Sequence, residues 1–181
     1  MINDLFTQMR SLWLQYRTEV NNAYKRTLPL AEYVVDRWQK ARELGFGEGA
    51  SIHDSVHVYG DVAVGEHTWV GPFVILDGEG GLKIGSYCSI SAGVQIYSHD
   101  SVEWAVSGGK LSYRYAETSI GNHCYIGPNT IISKGVKIGN KCIIGANSLV
   151  LSNIPDNTKA FGSPCRIVGT SSDNADDEEK G

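Results

Sequence analysis

No apolar run in the 181 residues approaches the length of a membrane span, and no charged-then-apolar leader opens the chain. These absences argue against a membrane-spanning helix and make a soluble, cytoplasmic protein the expectation. Basic residues are not in excess either, since 16 Lys and Arg stand against 20 Asp and Glu for a formal net charge of −4. Without a basic surplus there is no electrostatic footing for a nucleic-acid partner. The 4 cysteines, at 88, 124, 142 and 165, lack CxxC spacing. A disulfide framework is therefore not expected, and a structural role as compact apolar filler is.

What the chain does have is a short period. From Ile120 to Ile154 it reads IGNHCY, IGPNTI, ISKGVK, IGNKCI, IGANSL, VLSNIP. Each block of six opens on an aliphatic residue (Ile120, Ile126, Ile132, Ile138, Ile144, Val150), and a small or β-branched residue follows four places on in most blocks. A hexapeptide period is the mark of a parallel β-solenoid. A short strand plus a turn makes one flat side, three sides make a coil, and stacked coils pair each other's main-chain groups. The Gly- and Asn-rich corners at Gly121–Asn122, Gly139–Asn140 and Gly145–Asn147 suit turns that need positive φ. The same rule runs backward through Ile96, Ile90 and Ile84, then through Leu76, Val70, Val64, Val58 and Ile52, giving fourteen hexads, or nearly five coils. Periodicity alone does not set the hand of the coil.

The rule breaks twice. Eight residues rather than six separate Leu76 from Ile84, which places a Gly-rich bulge at Asp77–Lys83. Twenty-four residues separate Ile96 from Ile120. A loop over 97–119 must therefore leave the prism and return in register, and long excursions from a compact solenoid are usually functional.

Residues 1–47 read as a helical segment and 48–169 as the solenoid. Asn3 or Asp4 is placed to cap a first helix carrying Leu5, Phe6, Met9, Leu12, Trp13, Tyr16 and Val20 at helical spacing. A second helix is expected from Pro29 to Leu44, stopped by Gly45. This helical pair is expected to pack on the solenoid or to roof a neighbouring subunit's site, with Trp13 and Trp38 in the core. Residues 170–181 are polar and acidic and read as a disordered tail.

The repeat and its ending, Ile144–Val150 followed by Ile154–Pro155 and Gly162–Arg166, closely resemble the hexapeptide-repeat acyltransferases, in particular their sugar O-acetyltransferase branch. The resemblance spans about residues 52–169. It implies an all-β solenoid in the form of a left-handed parallel β-helix, a homotrimer, active sites between adjacent prisms, acetyl-CoA as acyl donor and a small-molecule sugar as acceptor. Closed rotational symmetry through flat prism faces suits such a trimer.

The resemblance also implies site residues. His99, in QIYSHD at the start of the long loop, matches the family's catalytic His, and imidazole is suited to take a proton from an attacking hydroxyl near neutral pH. Asp100 is the candidate to orient it. Galactoside and maltose relatives have Pro after that His where this chain has Asp, so their acceptors do not carry over. For the coenzyme, Tyr125 stands where Trp is usual, Pro128 lines the same coil, Ala146 matches a pantetheine contact, and Arg166 matches a residue near the nucleotide phosphates. Lys134 is a second phosphate candidate, and Gly169 stands where some relatives carry a further basic residue. The bulge at Asp77 and the Trp104–Lys110 stretch of the loop are expected to shape the acceptor pocket. His53, His57, His67 and His123 fall at slots outside the prism. No metal is expected, because zinc hydratases of this fold need a second His five residues on, and that position is Trp104. N-acetylation of an amino sugar and a non-enzymatic scaffold stay open as alternatives.

Overall fold

The computed structural model describes residues 2–174. Each hexad contributes a two-residue strand and a corner, and the strands stack into three parallel faces of a left-handed β-helix. The first face carries Ser51–Ile52, Trp69–Val70, Ser89–Ile90, Tyr125–Ile126, Ile143–Ile144 and Thr158–Phe161. The second carries the leading halves of His57–Val64 and Ile75–Ile84, then Gln95–Ile96, Ile131–Ile132 and Leu149–Val150. The third carries the trailing halves of those two long strands, then Thr118–Ile120, Lys137–Ile138 and a bridge at Ile154. The stack reaches about six turns, longer than the hexads alone supply. The extra rung is Thr158–Phe161, which also pairs antiparallel with Arg166–Thr170.

Register records both breaks in the repeat. Tyr125 pairs with Ile143, eighteen residues on; Trp69 pairs with Ser89, twenty on; Ser89 pairs with Tyr125, thirty-six on. The bulge thus adds two residues to one coil, and the loop adds eighteen to the next.

The first-position aliphatics fill the prism: Ile52, Val70, Ile90, Ile126 and Ile144 from one face meet Leu76, Ile96, Ile132 and Val150 from the second, each fully buried. Burying such a side chain contributes about 1.5–3 kcal/mol. At the corner between third and first faces the filler is a column of Thr68, Cys88, Cys124, Cys142 and Thr158, all buried. Each thiol donates to a carbonyl of the next coil, Cys88 to Gly121 at 3.1 Å, Cys124 to Gly139 at 3.0 Å and Cys142 to Pro155 at 3.1 Å. All four cysteines are free.

The corner glycines have a different cause from the one expected. Gly121 and Gly139 do not adopt positive φ; the left-handed residues are His123, Lys141 and Asn147. A Cβ on Gly121 would sit 2.7 Å from the Gly139 carbonyl carbon, and one on Gly127 would sit 2.5 Å from the Ala146 nitrogen. Glycine is required there because coils approach too closely for a side chain. The residue after it seals the edge: the Asn140 side chain accepts from the Asn122 amide at 2.9 Å, and Asp156 accepts from the Asn140 amide at 2.7 Å.

The N-terminal region holds three helices rather than two: α1 (Ile2–Tyr24), α2 (Ala31–Val34) and α3 (Arg37–Glu43). The expected second helix is cut because Asp36 caps α3, its carboxylate accepting from the amides of Trp38 at 2.9 Å and Gln39 at 2.7 Å, while Val35 is extended. α1 starts at Ile2, ahead of the expected caps, and Asp4 lies in its first turn. Gly45 ends α3 with φ +73°, as expected. α3 docks on the first coil through buried Ala41 and through Lys40, which donates to the carbonyls of His53 and Asp54. Trp38 is 47% exposed rather than in the core, and α1 leaves Leu5, Phe6, Met9 and Leu12 exposed. At the other end, Ser171–Asn174 forms a 3-10 turn past the expected boundary, and the rest of the acidic tail lies outside the described residues.

Ile132 is fully buried in the middle of the second face. Ile132→Ala should destabilise the fold by about 2–5 kcal/mol in denaturant titration; a loss below about 1 kcal/mol would contradict this account of the core.

Candidate active site

Both breaks fall at one corner, between the second and third faces, on neighbouring coils. The bulge follows Leu76, and the long loop leaves after Ile96 directly beside it, since Ile75–Leu76 pairs with Gln95–Ile96. Gly80 makes the two levels fit: a Cβ there would press on the Ala116 nitrogen at 2.9 Å, and the Gly80 amide donates to Ser98 Oγ at 2.7 Å.

The consequence is a carboxylate–imidazole pair. Asp77 Oδ2 lies 2.6 Å from His99 Nδ1. Asp77 is only 1% exposed, and its carboxylate also accepts from the amides of Glu79 at 2.9 Å and Ser98 at 3.2 Å. These bonds offset the cost of burying the charge. With a carboxylate at Nδ1, that nitrogen carries the proton and Nε2 is the basic one. Nε2 has no partner among the described residues. The His99 side chain is 29% exposed and borders a groove of about 380 Å³ with Tyr97, Val102, Ile131, Lys134, Leu149 and Leu151.

The loop folds back over this corner. His99–Asp100 pairs antiparallel with Arg114–Tyr115, helix α4 (Val102–Val106) lies between, and Glu103 forms an ion pair with Arg114. The return is pinned by Thr118 Oγ1, which donates to the Tyr97 carbonyl at 2.7 Å. Two tyrosines two residues apart then lie nearly parallel to the imidazole, Tyr113 at 6.2 Å and 11°, Tyr115 at 5.7 Å and 22°. Trp104 meets Tyr113 edge-on at 5.8 Å.

Asp100, expected to orient His99, points elsewhere. Its carboxylate pairs with Lys134 Nζ at 2.8 Å and accepts from the Val102 amide at 3.1 Å. Successive residues of a strand face opposite sides, so the neighbour in sequence cannot reach the ring that the residue one coil away does. The Lys134 hydrogen bond, with help from the Val102 amide, holds the Asp100 carboxyl below its ordinary value. Lys134 is thus committed to a carboxylate in the His99 groove, not free at a corner. Asp77 is buried and bonded to the imidazole, so its contact is His99 rather than an acceptor. Lys110 is exposed within the loop, its amide donating to Ser107 Oγ.

The coenzyme candidates are spread over the first and second faces. Pro128 and Ala146 stack at the corner between first and second faces, the Pro128 carbonyl accepting from the Asn147 amide at 2.8 Å. Outward Ile131 and Leu149 lie between that corner and the His99 corner. Tyr125 is on the first face, half exposed and away from His99. Arg166 lines a cavity of about 290 Å³ with Pro164, Cys165 and Leu151, and Leu151 also lines the His99 groove. Those cavities are therefore neighbours. His53, expected outside the prism, is buried beneath the N-terminal helices.

Residues 117–152 match the model of the bacterial transferase hexapeptide, six repeats. Nodulation protein L of Rhizobium meliloti (strain 1021) is 36% identical over 143 residues, which is 75% of this chain and 76% of that protein. The chain belongs to the hexapeptide-repeat transferases. Among solved members of this fold, a hexapeptide-repeat-containing acetyltransferase of Vibrio cholerae, complexed with acetyl coenzyme A, superposes with TM-score 0.67 and 25% identity over 91% of this chain and 87% of its own. AntD, an N-acyltransferase of Bacillus cereus in complex with dTDP and 3-hydroxybutyryl-CoA, gives TM-score 0.62 at 19% identity over 81% of this chain and 96% of its own, a likeness of fold.

The sequence assigns no role to Tyr113, Tyr115 or Ser98, which the structure places around His99 and Asp77. The one available signal was Tyr-Arg-Tyr at 113–115, an alternation that puts both rings on one side of a strand. The Asp100–Lys134 pair is directly testable. Lys134→Met should let Asp100 titrate at higher pH than in the parent protein, followed by carboxyl carbon shifts. An unchanged titration would show that the pair does not form in solution.

Proposed function

We propose that this hexapeptide-repeat transferase moves an acetyl group from acetyl-CoA to a sugar hydroxyl, with His99 as general base. The observation that carries the reading is the 2.6 Å bond from His99 Nδ1 to buried Asp77, which leaves the basic Nε2 at the edge of the groove. An acceptor hydroxyl beside Nε2 loses its proton as its oxygen attacks the thioester carbonyl. The tetrahedral intermediate then collapses, the C–S bond breaks, and the imidazolium returns its proton to the departing thiolate. Asp77 favours the imidazolium and fixes the ring, so it acts as a positioning residue. General-base catalysis of this kind is worth about 10²–10⁴-fold.

The groove suits the donor. Its floor of Ile131, Leu149 and Leu151 offers apolar contact for a pantetheine arm, with Ala146 and Pro128 along the far edge. Arg166, one cavity further along, supplies a guanidinium for the nucleotide phosphates. Tyr125 is assigned to the donor as well, through the subunit packed against its face in a homotrimer. The acceptor is assigned to the loop side, where Trp104, Tyr113 and Tyr115 present ring faces of the kind that cover the apolar face of a sugar. Lys110 and Lys134 stand at that side, Lys134 with its charge matched by Asp100. The Vibrio relative, solved with acetyl coenzyme A, supports the donor, and the resemblance to the sugar O-acetyltransferases supports the acceptor class.

His99→Ala should lower kcat by about 10²–10⁴-fold while acetyl-CoA still binds, measured by thiol release across a panel of sugars and by calorimetry. Asp77→Asn should lower kcat with little change in the KM of either substrate. Turnover unchanged in His99→Ala sinks the base assignment, and faster thiol release with amino sugars than with hydroxyl acceptors replaces O- by N-acetylation. Arg166→Gln should raise the KM for acetyl-CoA about tenfold, as expected for one lost charged hydrogen bond.

A further inference from the structure

A second carboxylate–imidazole pair lies at the start of the prism, at the corner between first and second faces, two coils from His99 and across the second face from it. His53 is 9% exposed, with Nδ1 at 2.9 Å from Glu32 Oε2 and Nε2 at 3.0 Å from Arg37 Nη1. A guanidinium can only donate, so Nε2 accepts and the Nδ1 proton goes to Glu32. The other Glu32 oxygen accepts from Ser55 Oγ at 3.0 Å. Burial pushes the Glu32 carboxyl up, but the electrostatic attraction of the His53 N–H and the Ser55 and His53 bonds outweigh it and leave the group below its ordinary value. Glu32 is therefore an anion whose bonds are used internally.

The guanidiniums beside it are not matched in this way. Arg37 lies over the Trp38 ring at 5.0 Å, and neither Arg37 nor Arg26 forms an ion pair with a carboxylate among the described residues. Both line a cavity of about 440 Å³ whose other walls include Trp38, Trp69, His53 and Ser51, with no acidic side chain among its lining residues. The adjoining cavity does contain Glu32 and Asp36, but the first is bound to His53 and Ser55 and the second caps α3.

We propose that this cavity binds a phosphorylated small molecule with a ring body, as a sugar phosphate or a nucleotide has. Two guanidiniums match a dianionic phosphate by charge and by forked hydrogen-bond geometry, whereas a carboxylate would leave one of them unmatched. The Trp38 and Trp69 rings supply apolar walls for the body of the ligand. The volume is within the range of small-molecule sites. His53 and Glu32 act as positioning residues, holding Arg37 against the wall. The site is separate from the His99 groove and does not depend on the reaction proposed there.

The test uses the full-length protein without coenzyme A, itself a nucleotide, and Arg166→Gln reports any binding through the phosphate contacts at Arg166. Glucose 1-phosphate and uridine 5′-diphosphate are titrated in separate arms, read by calorimetry and by tryptophan fluorescence. At least one should bind saturably, about tenfold or more weakly in Arg26→Gln and in Arg37→Gln, and unchanged in Arg166→Gln. The arm that binds tells sugar phosphate from nucleotide. Arg26 is exposed and makes no hydrogen bond or ion pair among the described residues, so Arg26→Gln decides the matter even where Arg37→Gln fails to fold. Absence of saturable binding in both arms, or binding that survives Arg26→Gln, overturns the proposal.

Discussion

Everything in this molecule depends on main-chain hydrogen bonds between successive coils. A parallel β-helix has no helix or hairpin in which to satisfy its backbone, so each amide must find a carbonyl one coil away. That requirement fixes the period, the inward aliphatic at the head of each hexad, and the glycine where coils approach within 2.7 Å of a would-be side chain. It also sets what an insertion can do. Extra residues cannot be absorbed within a rung, because a slip of one residue would turn every inward side chain outward. They must be expelled at a corner, and the chain must return in register.

Two expulsions at the same corner, on adjacent coils, make the candidate site. Each alone would be a surface irregularity. Stacked, they bring Asp77 from one coil against His99 from the next and bury the carboxylate behind Glu79 and Ser98 amides. The long loop then closes on itself through the His99–Asp100 and Arg114–Tyr115 pairing, which carries Tyr113 and Tyr115 back to the imidazole. The prism thus holds the imidazole, and a locally folded excursion supplies its surroundings. The N-terminal helices do something comparable at the first coil, where α2 and α3 bring Glu32 and Arg37 to His53.

Much of the fold was legible because a six-residue rule repeated fourteen times leaves little freedom. The aliphatic register, the two-residue bulge, the eighteen-residue excess and the structural cysteines all follow from counting. The helices were less legible. Asp36 cut an apolar stripe that reads as continuous, since a capping carboxylate two residues after Val34 competes with helix propagation. Trp38 sits half exposed because its helix docks through Ala41 and Lys40 instead. At the site, the position of His99 was readable from where the period fails, but its partner was not. Asp100 is adjacent in sequence and points to Lys134, while Asp77, twenty-two residues earlier, is adjacent in space.

The sequence by itself determined the coil, its register and the place where the register is broken, because these are properties of spacing along one chain. Only the tertiary structure decided which side chains meet there. Contacts such as Asp77 with His99, Tyr113 with His99 and Arg37 with His53 run between coils, within the loop or between helix and coil, with no constant separation in the chain. A period specifies what stacks on what, and side-chain direction at an irregular corner depends on the packing of the coil above and below.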